Sequence, residues 1–258
     1  MYLIVINFHW SLFGAVSFFR DTYFPRFSEL FNSSFDVVYL APSFEKNLSI
    51  VNHTLPKAGY YSYHTLAVAY KLFGHVNAYD YAGYFFLNDD GVLDPLHLNE
   101  YDLSHGWHEP TRVYDPNVYW SWNLLNNELN ERYPAAFQRA VDQLELIPHI
   151  ERRCKLSDFN NHRRGLQDFF YVPAKDIDLF CELSSVFYKY RAFLEVAAPT
   201  IGWCISHSPI NTCNHHFWPN VTSCVYLHPV KLGEAFNQRL VMDHINRVNI
   251  KRVAPMGW

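Results

Sequence analysis

The 258-residue chain carries few charges, and its lysines and arginines form no extended cluster. Charged residues make up 18% of the chain, and the formal net charge is -4. Proteins bind nucleic acids largely through a basic surface, so this composition disfavours a polyanion-binding role. Because 49% of the residues are hydrophobic, the composition also excludes a disordered chain.

The apolar N-terminus, MYLIVINFHW, is too short to cross a membrane and has no basic flank. We interpret it as a buried first strand and expect no membrane span in this chain. The five cysteines include no CxxC pair, and their odd number argues against a fully disulfide-bonded secreted scaffold. Cys213 and Cys224 could still bridge a loop. Sequons that would suit a secretory lumen lie at Asn32, Asn47, Asn52 and Asn220.

Aromatic residues are abundant: 21 Phe, 18 Tyr and 7 Trp make up 18% of the chain. Aromatic rings fill protein cores, and they also stack on nucleobases and on the apolar faces of sugars. The total therefore favours a protein that binds carbohydrates or nucleotides.

Apolar runs alternate with an amphipathic segment in the first hundred residues. The runs at 2–8, 35–40 and 84–87 predict buried strands, and the segment 61–73 predicts a helix. This alternation predicts an α/β fold with a mixed, mostly parallel central sheet flanked by helices. Ligands of such sheets bind beyond the carboxyl ends of the strands.

The second half of the chain predicts strands at 168–173 and 221–227 and a helix at 176–191. No repeat, low-complexity tract or linker divides the sequence. We therefore expect one domain over residues 1–258, with a nucleotide-binding half at 1–95 and an acceptor-binding half at 96–258.

The strand at 84–87 runs directly into two adjacent carboxylates, in the segment YFFLNDDGVLDP. Clustered like charges repel, and a divalent cation that bridges them to a diphosphate removes that cost. Oxygen ligands suit Mg²⁺ or Mn²⁺, so Asp90 is the predicted metal ligand. Asn88 and Asp89 are expected to face the ribose, metal-bound water or neighbouring groups. The alternative is an ordinary polar turn.

With these residues the chain resembles the GT-A superfamily of glycosyltransferases, whose DxD metal motif directly follows a hydrophobic strand. Here the motif reads Asn88-Asp89-Asp90, so an amide replaces the first carboxylate and Asp90 is the expected anchor. The resemblance implies a single GT-A (Rossmann-like) domain. It also implies transfer of a sugar from a UDP-sugar donor to a glycan acceptor, with Mn²⁺ or Mg²⁺ as cofactor.

Many enzymes of this superfamily take a further metal ligand from a downstream histidine, which is often followed by a diphosphate-binding lysine. In CVYLHPVKL (224–232), His228 and Lys231 match that arrangement in type and order. A neutral imidazole is a good metal ligand, and an ammonium group could neutralise the leaving diphosphate. For any single histidine of the 14 in the chain, the alternative is a surface or core position.

The resemblance also implies a carboxylate near the start of a helix that acts as general base on the acceptor hydroxyl. Glu195 lies in the otherwise apolar stretch AFLEVAAPTIGW, where an unpaired carboxylate is costly and burial raises the pKa. Asp168, directly before a predicted strand, is the second candidate. The alternative for Glu195 is a carboxylate satisfied by backbone amides or by Arg191.

Aromatic residues are the expected contacts of the uridine and of the acceptor. Phe8, His9 and Trp10 follow the first strand, where the resemblance places the base; core packing is the alternative for Phe8. The acceptor platform is expected from three residues of the irregular middle segment: Trp107, Trp120 and Trp122.

Four segments, FLNDDGVLDP, DFFYVPAK, FLEVAAPT and YLHPVKL, are more narrowly similar to the small glycosyltransferases of chlorella viruses, xylosyltransferases in particular. This resemblance implies UDP-xylose as donor, inversion to a β-linkage and a fucose-containing glycan as acceptor. It also implies a viral protein of the host cytoplasm, which fits free cysteines; the Golgi lumen is the alternative.

Two other classes of protein fit parts of the sequence. A glycan or nucleotide-sugar hydrolase also uses carboxylates and aromatic residues, but it does not need a metal-binding histidine on a late strand. A non-catalytic carbohydrate-binding protein needs the aromatic residues alone. A metal phosphoesterase is disfavoured because the sequence has no HxH or GDxHG-like histidine cluster that could anchor two metal ions.

Overall fold

A computed structural model describes the protein at residues 1–8, 13–41, 50–52, 61–73, 81–115, 132–206, 212–214 and 224–253. The strands are β1 (Tyr2–Asn7), β2 (Phe35–Ala41), β3 (Ile50–Asn52), β4 (Gly83–Asn88), β5 (Val92–Leu93), β6 (Trp107–His108), β7 (Arg112–Val113), β8 (Arg163–Arg164), β9 (Phe169–Pro173), β10 (Thr212–Asn214) and β11 (Tyr226–His228). The helices are α1 (Phe13–Phe18), α2 (Phe24–Leu30), α3 (Tyr63–Phe73), α4 (Pro95–Leu98), α5 (Arg132–Glu145), α6 (Pro148–Cys154), α7 (Ile177–Lys189), α8 (Leu194–Ile205) and α9 (Ala235–Val253). A π-helical turn, Phe19–Tyr23, joins α1 to α2.

The central sheet has six strands in the order β3-β2-β1-β4-β9-β6. β1 pairs in parallel with β2 and β4, and β2 pairs in parallel with β3. β9 runs antiparallel to both of its neighbours, β4 and β6. The fold is therefore α/β with a mixed sheet, as the alternation of elements predicts. Strands from both predicted halves of the chain share this one sheet.

Alternate residues of β1 show how the sheet is covered on both faces. Leu3 and Val5 belong to one hydrophobic cluster, whereas Ile4 and Ile6 belong to a second one. Successive side chains of a strand point to opposite faces, so each cluster covers one face. The first cluster contains residues of α3, α5, α7 and α8, and the second contains residues of the α1–α2 region and α9.

Two small sheets lie beside the central one. β11 pairs in parallel with β10 and antiparallel with β5, and β7 pairs antiparallel with β8. The first of these sheets carries the end of the predicted late strand, which begins at Tyr226 in the described chain. Because β5 follows β4 directly, this sheet also brings the residues at the end of β4 close to those at the end of β11.

A disulfide joins Cys154 to Cys204, at the ends of α6 and α8, and Cys181 is a buried free thiol. Cys154 and Cys204 are therefore not free thiols, in contrast to the free cysteines expected from the sequence. The pairing joins residues 50 positions apart, so no local spacing in the sequence indicates it. Within the described ranges, no helix is both long and apolar enough to cross a membrane.

Candidate functional site

Two asparagines lie side by side at the carboxyl ends of the central strands. Asn7 ends β1 and Asn88 ends β4, and the parallel register places them opposite each other. The Asn7 amide donates to Asn88 Oδ1 over 3.4 Å, and Thr65 Oγ1 donates to Asn7 Oδ1 over 3.1 Å. The Asn88 amide donates in turn to Asp168 Oδ1 over 2.7 Å. Asn88 is 1% exposed and hydrogen-bonded to Asp168, which is the neighbouring-group placement among those that the sequence left open.

The chain turns directly after β4 and carries Asp90 to the edge of the site. Asp89 continues the end of the strand, since its backbone N–H donates to Asn7 O over 3.0 Å, and its side chain is buried. Asp90 is partly exposed. Its Oδ1 lies 3.2 Å from His228 Nε2, and its Oδ2 accepts a hydrogen bond of 2.7 Å from Lys231 Nζ. Asp90, His228 and Lys231 therefore meet as the sequence predicts.

The small sheet explains why residues so far apart in sequence come together. β5 begins two positions after Asp90 and pairs antiparallel with β11, with Leu93 opposite Tyr226 and Val92 opposite Leu227. His228 ends β11 and is thereby brought beside Asp90. The backbone N–H of Val230 also donates to Asp90 O, which fixes the turn against the segment after β11.

The ring of Tyr226 packs against Gly91, the residue that follows Asp90. Tyr226 is fully buried, and its hydroxyl donates to Asp168 O over 3.2 Å. A Cβ atom at Gly91 would lie 2.0 Å from the Tyr226 hydroxyl oxygen, so only glycine leaves room for the ring. The position of the Asp90 turn therefore depends on the absence of a side chain at residue 91.

The His228 imidazole lies between two carboxylates. Its Nε2 faces Asp90, and its Nδ1 lies 3.6 Å from Asp168 Oδ2, an ion-pair distance. Burial alone would lower the pKa of His228, but the hydrogen bond to Asp90 and the charges of Asp168 and Asp90 outweigh it and raise that pKa. Burial would likewise raise the pKa of Asp90, yet the contacts with His228 and Lys231 hold it well below its usual range. Both shifts favour the charged forms of the two groups.

The contact between Asp90 and His228 also fits a divalent cation. Two adjacent ligands at about 2.1 Å from an octahedral ion lie about 3 Å apart, close to the 3.2 Å between these two atoms. A metal ion would replace the proton on Nε2, because only the neutral ring nitrogen is a ligand. No group of three or more His, Cys, Asp or Glu side chains in the described part of the chain forms a metal site. Phosphate oxygens and water would therefore have to complete the shell, as is usual for Mg²⁺.

Glu195 lies in the first turn of α8 and is 6% exposed. Its Oε2 has no hydrogen-bond partner among the residues that the structure describes. Burial, together with the negative charges of Asp168 and Glu109, raises the pKa of Glu195 to about 8. Arg191, which the sequence left open as a partner of Glu195, does not donate to this oxygen. A buried carboxyl group with a strongly raised pKa is typical of a functional site.

Glu109 and Gln167 also belong to this region, and the sequence analysis missed both. Each is 1% exposed, and the Gln167 amide donates to Glu109 O over 3.2 Å. Glu109 acts electrostatically on Glu195 and on His228. In the sequence, Glu109 appears only as a carboxylate in the segment HGWHEP, directly after the residues of β6. Nothing local distinguishes it from a loop residue.

The aromatic residues expected at the ligands are placed differently. Phe8 is 1% exposed and packs edge-on against Phe19, so it is a core residue that is not available to a base. Trp107 is also buried, packs at a tilt against Tyr171 and donates to Asp102 O, so it does not form an acceptor platform. Burial of large apolar rings is the physical reason for both corrections. The remaining aromatic candidates and His9 lie outside the described residues: His9, Trp10, Trp120 and Trp122.

Neither the models of known protein families nor the sequences of curated proteins give a match to this chain. The site is therefore defined by its own geometry. It combines the imidazole of His228, the ammonium group of Lys231 and the carboxyl groups of Asp90, Asp168 and Glu195, and these groups are the basis for a functional proposal.

Proposed function

We propose that the protein is a metal-dependent glycosyltransferase that moves a sugar from a UDP-sugar to a hydroxyl group of a glycan. The observation that carries this proposal is the contact of 3.2 Å between Asp90 and His228, with Lys231 bound to the same carboxylate. A carboxylate, an imidazole and an ammonium group together can bind a divalent cation and the diphosphate that it accompanies.

On the donor side, Asp90 and His228 would hold the ion, which when bound supplies positive charge for the diphosphate. Lys231 is 65% exposed at its side chain, so it can move from Asp90 to a phosphate oxygen. Its ammonium group would then stabilise the negative charge that develops on the departing UDP. Asp89 lies in the same turn, and its side chain is buried.

On the acceptor side, Glu195 is the better general base. Asp168 is already bound by the Asn88 amide and lies against His228, so it orients other groups. Glu195 Oε2 has no protein partner in the described chain and could take the proton of the acceptor hydroxyl. The oxygen of that hydroxyl would form a bond to the anomeric carbon while the bond from that carbon to UDP breaks. Attack opposite the leaving group inverts the anomeric carbon to a β-linkage.

The narrower choice of xylose as donor sugar and of a fucose-containing acceptor comes from the four segments quoted above. We extend the proposal to UDP-xylose on that ground. Discrimination against other UDP-sugars would depend on a few hydrogen bonds and on the space around the transferred sugar.

The proposal is tested by measuring UDP release from a panel of UDP-sugars with Mn²⁺ or EDTA, in the presence and absence of methyl glycosides. We expect one UDP-sugar to be turned over only with the metal, and faster with a glycoside present. The Asp90→Ala variant should lose at least about 100-fold in rate. The control Asp142→Ala, on the exposed side of α5, should keep the rate of the unchanged protein.

Two results would count against the proposal. Turnover that is equal with and without every acceptor would indicate a hydrolase. Glycan binding that survives Asp90→Ala, without turnover of any UDP-sugar, would indicate a carbohydrate-binding protein.

A further inference from the structure

A second group of buried polar side chains lies next to Glu195. β7 and β8 pair antiparallel, with Arg112 opposite Arg164, and the segments that extend from them also run side by side. A Cβ atom at Gly165 would lie 3.0 Å from Pro110 O, and the N–H of Gly165 donates to Glu195 O over 3.0 Å. This strand pair therefore packs directly against the beginning of α8.

Gln167 presents an unused hydrogen-bond acceptor in this region. Its amide nitrogen donates to Glu109 O over 3.2 Å. A carbonyl oxygen only accepts, so the nitrogen and not the oxygen of the side-chain amide must face it. Gln167 Oε1 is consequently left without a hydrogen-bond partner in the described chain, although the residue is 1% exposed. A buried acceptor without a partner is costly, which calls for an explanation.

The position of Gln167 in the chain connects the two parts of the proposed site. Gly165, two residues before it, is hydrogen-bonded to Glu195, and Asp168, the residue after it, lies against His228. The short segment 165–168 thus runs from the proposed base to the proposed diphosphate site. An acceptor sugar has to lie between these two places for its hydroxyl to reach the donor.

The charges around this segment define which acceptor fits. Carboxyl groups of Asp168 and Glu109 both act on Glu195, so the surroundings of the proposed base are acidic. An anionic acceptor would be repelled there. An uncharged sugar instead brings several hydroxyl groups, each of which can donate to an oxygen that has no partner.

We propose that Gln167 determines acceptor specificity by accepting a hydrogen bond from a second, non-reacting hydroxyl group of an uncharged sugar. This inference rests on the proposed function, in which Glu195 takes the reacting hydroxyl. It assigns the acceptor to the class of neutral sugars with at least two free hydroxyl groups.

The unchanged protein gives the first test, with Mn²⁺, the UDP-sugar that it turns over and methyl glycosides of fucose, xylose, galactose and glucose. We expect at least one neutral glycoside to accept the sugar, and the methyl glycoside of glucuronic acid to be at least tenfold poorer than that of glucose. The accepted glycoside is then tested in forms that each lack one hydroxyl group other than the reacting one. The form that lacks the hydroxyl bound by Gln167 should show a KM raised about tenfold or more.

The variant Gln167→Met, which keeps the size of the side chain and removes its oxygen, gives the second test. We expect its acceptor KM to rise about tenfold or more, with a much smaller change in the KM for the UDP-sugar. The deoxygenated glycoside should then suffer no additional loss, because its missing hydroxyl no longer has a partner. The control Gln138→Met, on the exposed side of α5, should behave like the unchanged protein.

The outcomes separate this inference from the proposed function. Donor hydrolysis without transfer to any neutral glycoside would overturn the inference and leave the donor site standing. An equal penalty for the deoxygenated glycoside in Gln167→Met and in the unchanged protein would also overturn it. If no UDP-sugar were hydrolysed or transferred at all, both proposals would fail.

Discussion

The surroundings of Glu195 disfavour the ionised form of its carboxyl group, because the side chain is buried and lies near two other carboxyl groups. Its pKa is raised to about 8 in the folded protein, against an ordinary value of about 4.3 for the unfolded chain. Between these two values the folded state binds more protons than the unfolded state. The free energy of unfolding must therefore fall as the pH rises from about 4 towards 8.

This reasoning predicts that Glu195→Gln stabilises the protein at alkaline pH while it abolishes transfer. We expect the free energy of unfolding of the variant to exceed that of the unchanged protein by about 1–4 kcal/mol at pH 8.5, and by much less at pH 5. Urea unfolding at the two pH values measures the difference. The control is Glu29→Gln, whose side chain is 63% exposed and should show no such gain. A variant that is equally or less stable at pH 8.5 would contradict the burial of an unpaired charge.

The same group sets the expected pH dependence of the reaction. A general base has to be ionised, and Glu195 ionises only as the pH approaches about 8 in the protein without ligands. The value of kcat/KM for the acceptor should therefore rise with pH from 6 towards 9. A profile that is flat over this range would remove Glu195 from the role of base and favour Asp168.

At the residue scale, Asp90 and Glu195 were predicted because adjacent carboxylates after an apolar run and a carboxylate within one are conspicuous. His228 and Lys231 were predicted from the resemblance to the GT-A superfamily, and the structure brings them to Asp90. Gln167 was not identified, because its importance arises from a contact with a segment almost 60 residues away. Phe8 was a candidate for contact with the base, with core packing as the alternative, and it packs in the core. A single ring in an apolar strand carries no signal that separates the two roles.

At the scale of elements, the pairing of β5 with β11 holds the site together. Each strand is very short. The buried residue Tyr226 of β11 lies opposite Leu93 of β5. Pairing between short strands far apart in sequence leaves no local pattern, so the sequence indicated the late strand but not its partner. The sequence also did not indicate that β9 runs antiparallel to its neighbours. A strand that is buried on both faces is a continuous apolar run whether it pairs in parallel or antiparallel.

The contact of Gly91 with Tyr226 provides a test at this scale. Gly91→Ala would place a methyl group 2.0 Å from the Tyr226 hydroxyl, so either the ring or the Asp90 turn must move. We expect a loss of stability of about 1–3 kcal/mol and a weakened, metal-dependent affinity for UDP, although residue 91 is no ligand. Gly14→Ala is the matched control, because a Cβ atom there meets nothing within 4 Å. Equal thermal stability and UDP affinity of the two variants would contradict this account.

At the scale of the whole molecule, the two predicted halves are joined by a shared sheet. β9 and β6 come from the later half and continue the sheet beyond β4. The site lies where β4 of the first half meets β9 of the second half. The first half contributes Asp90, and the second contributes Asp168, Glu195 and His228. Alternating strands and helices were sufficient to predict the α/β class. The antiparallel addition depends on how the whole chain packs, which no single segment specifies.

The binding of UDP, measured by thermal unfolding with Mn²⁺ or with EDTA, tests most directly whether Asp90 and His228 hold a cation together with a diphosphate. At a UDP concentration about 100 times its Kd, we expect Tm to rise by about 5–10 °C with Mn²⁺. The rise should be absent with EDTA and strongly reduced in Asp90→Asn. A shift that is the same without the metal and in the variant, or no shift at any Mn²⁺ concentration, would contradict the account.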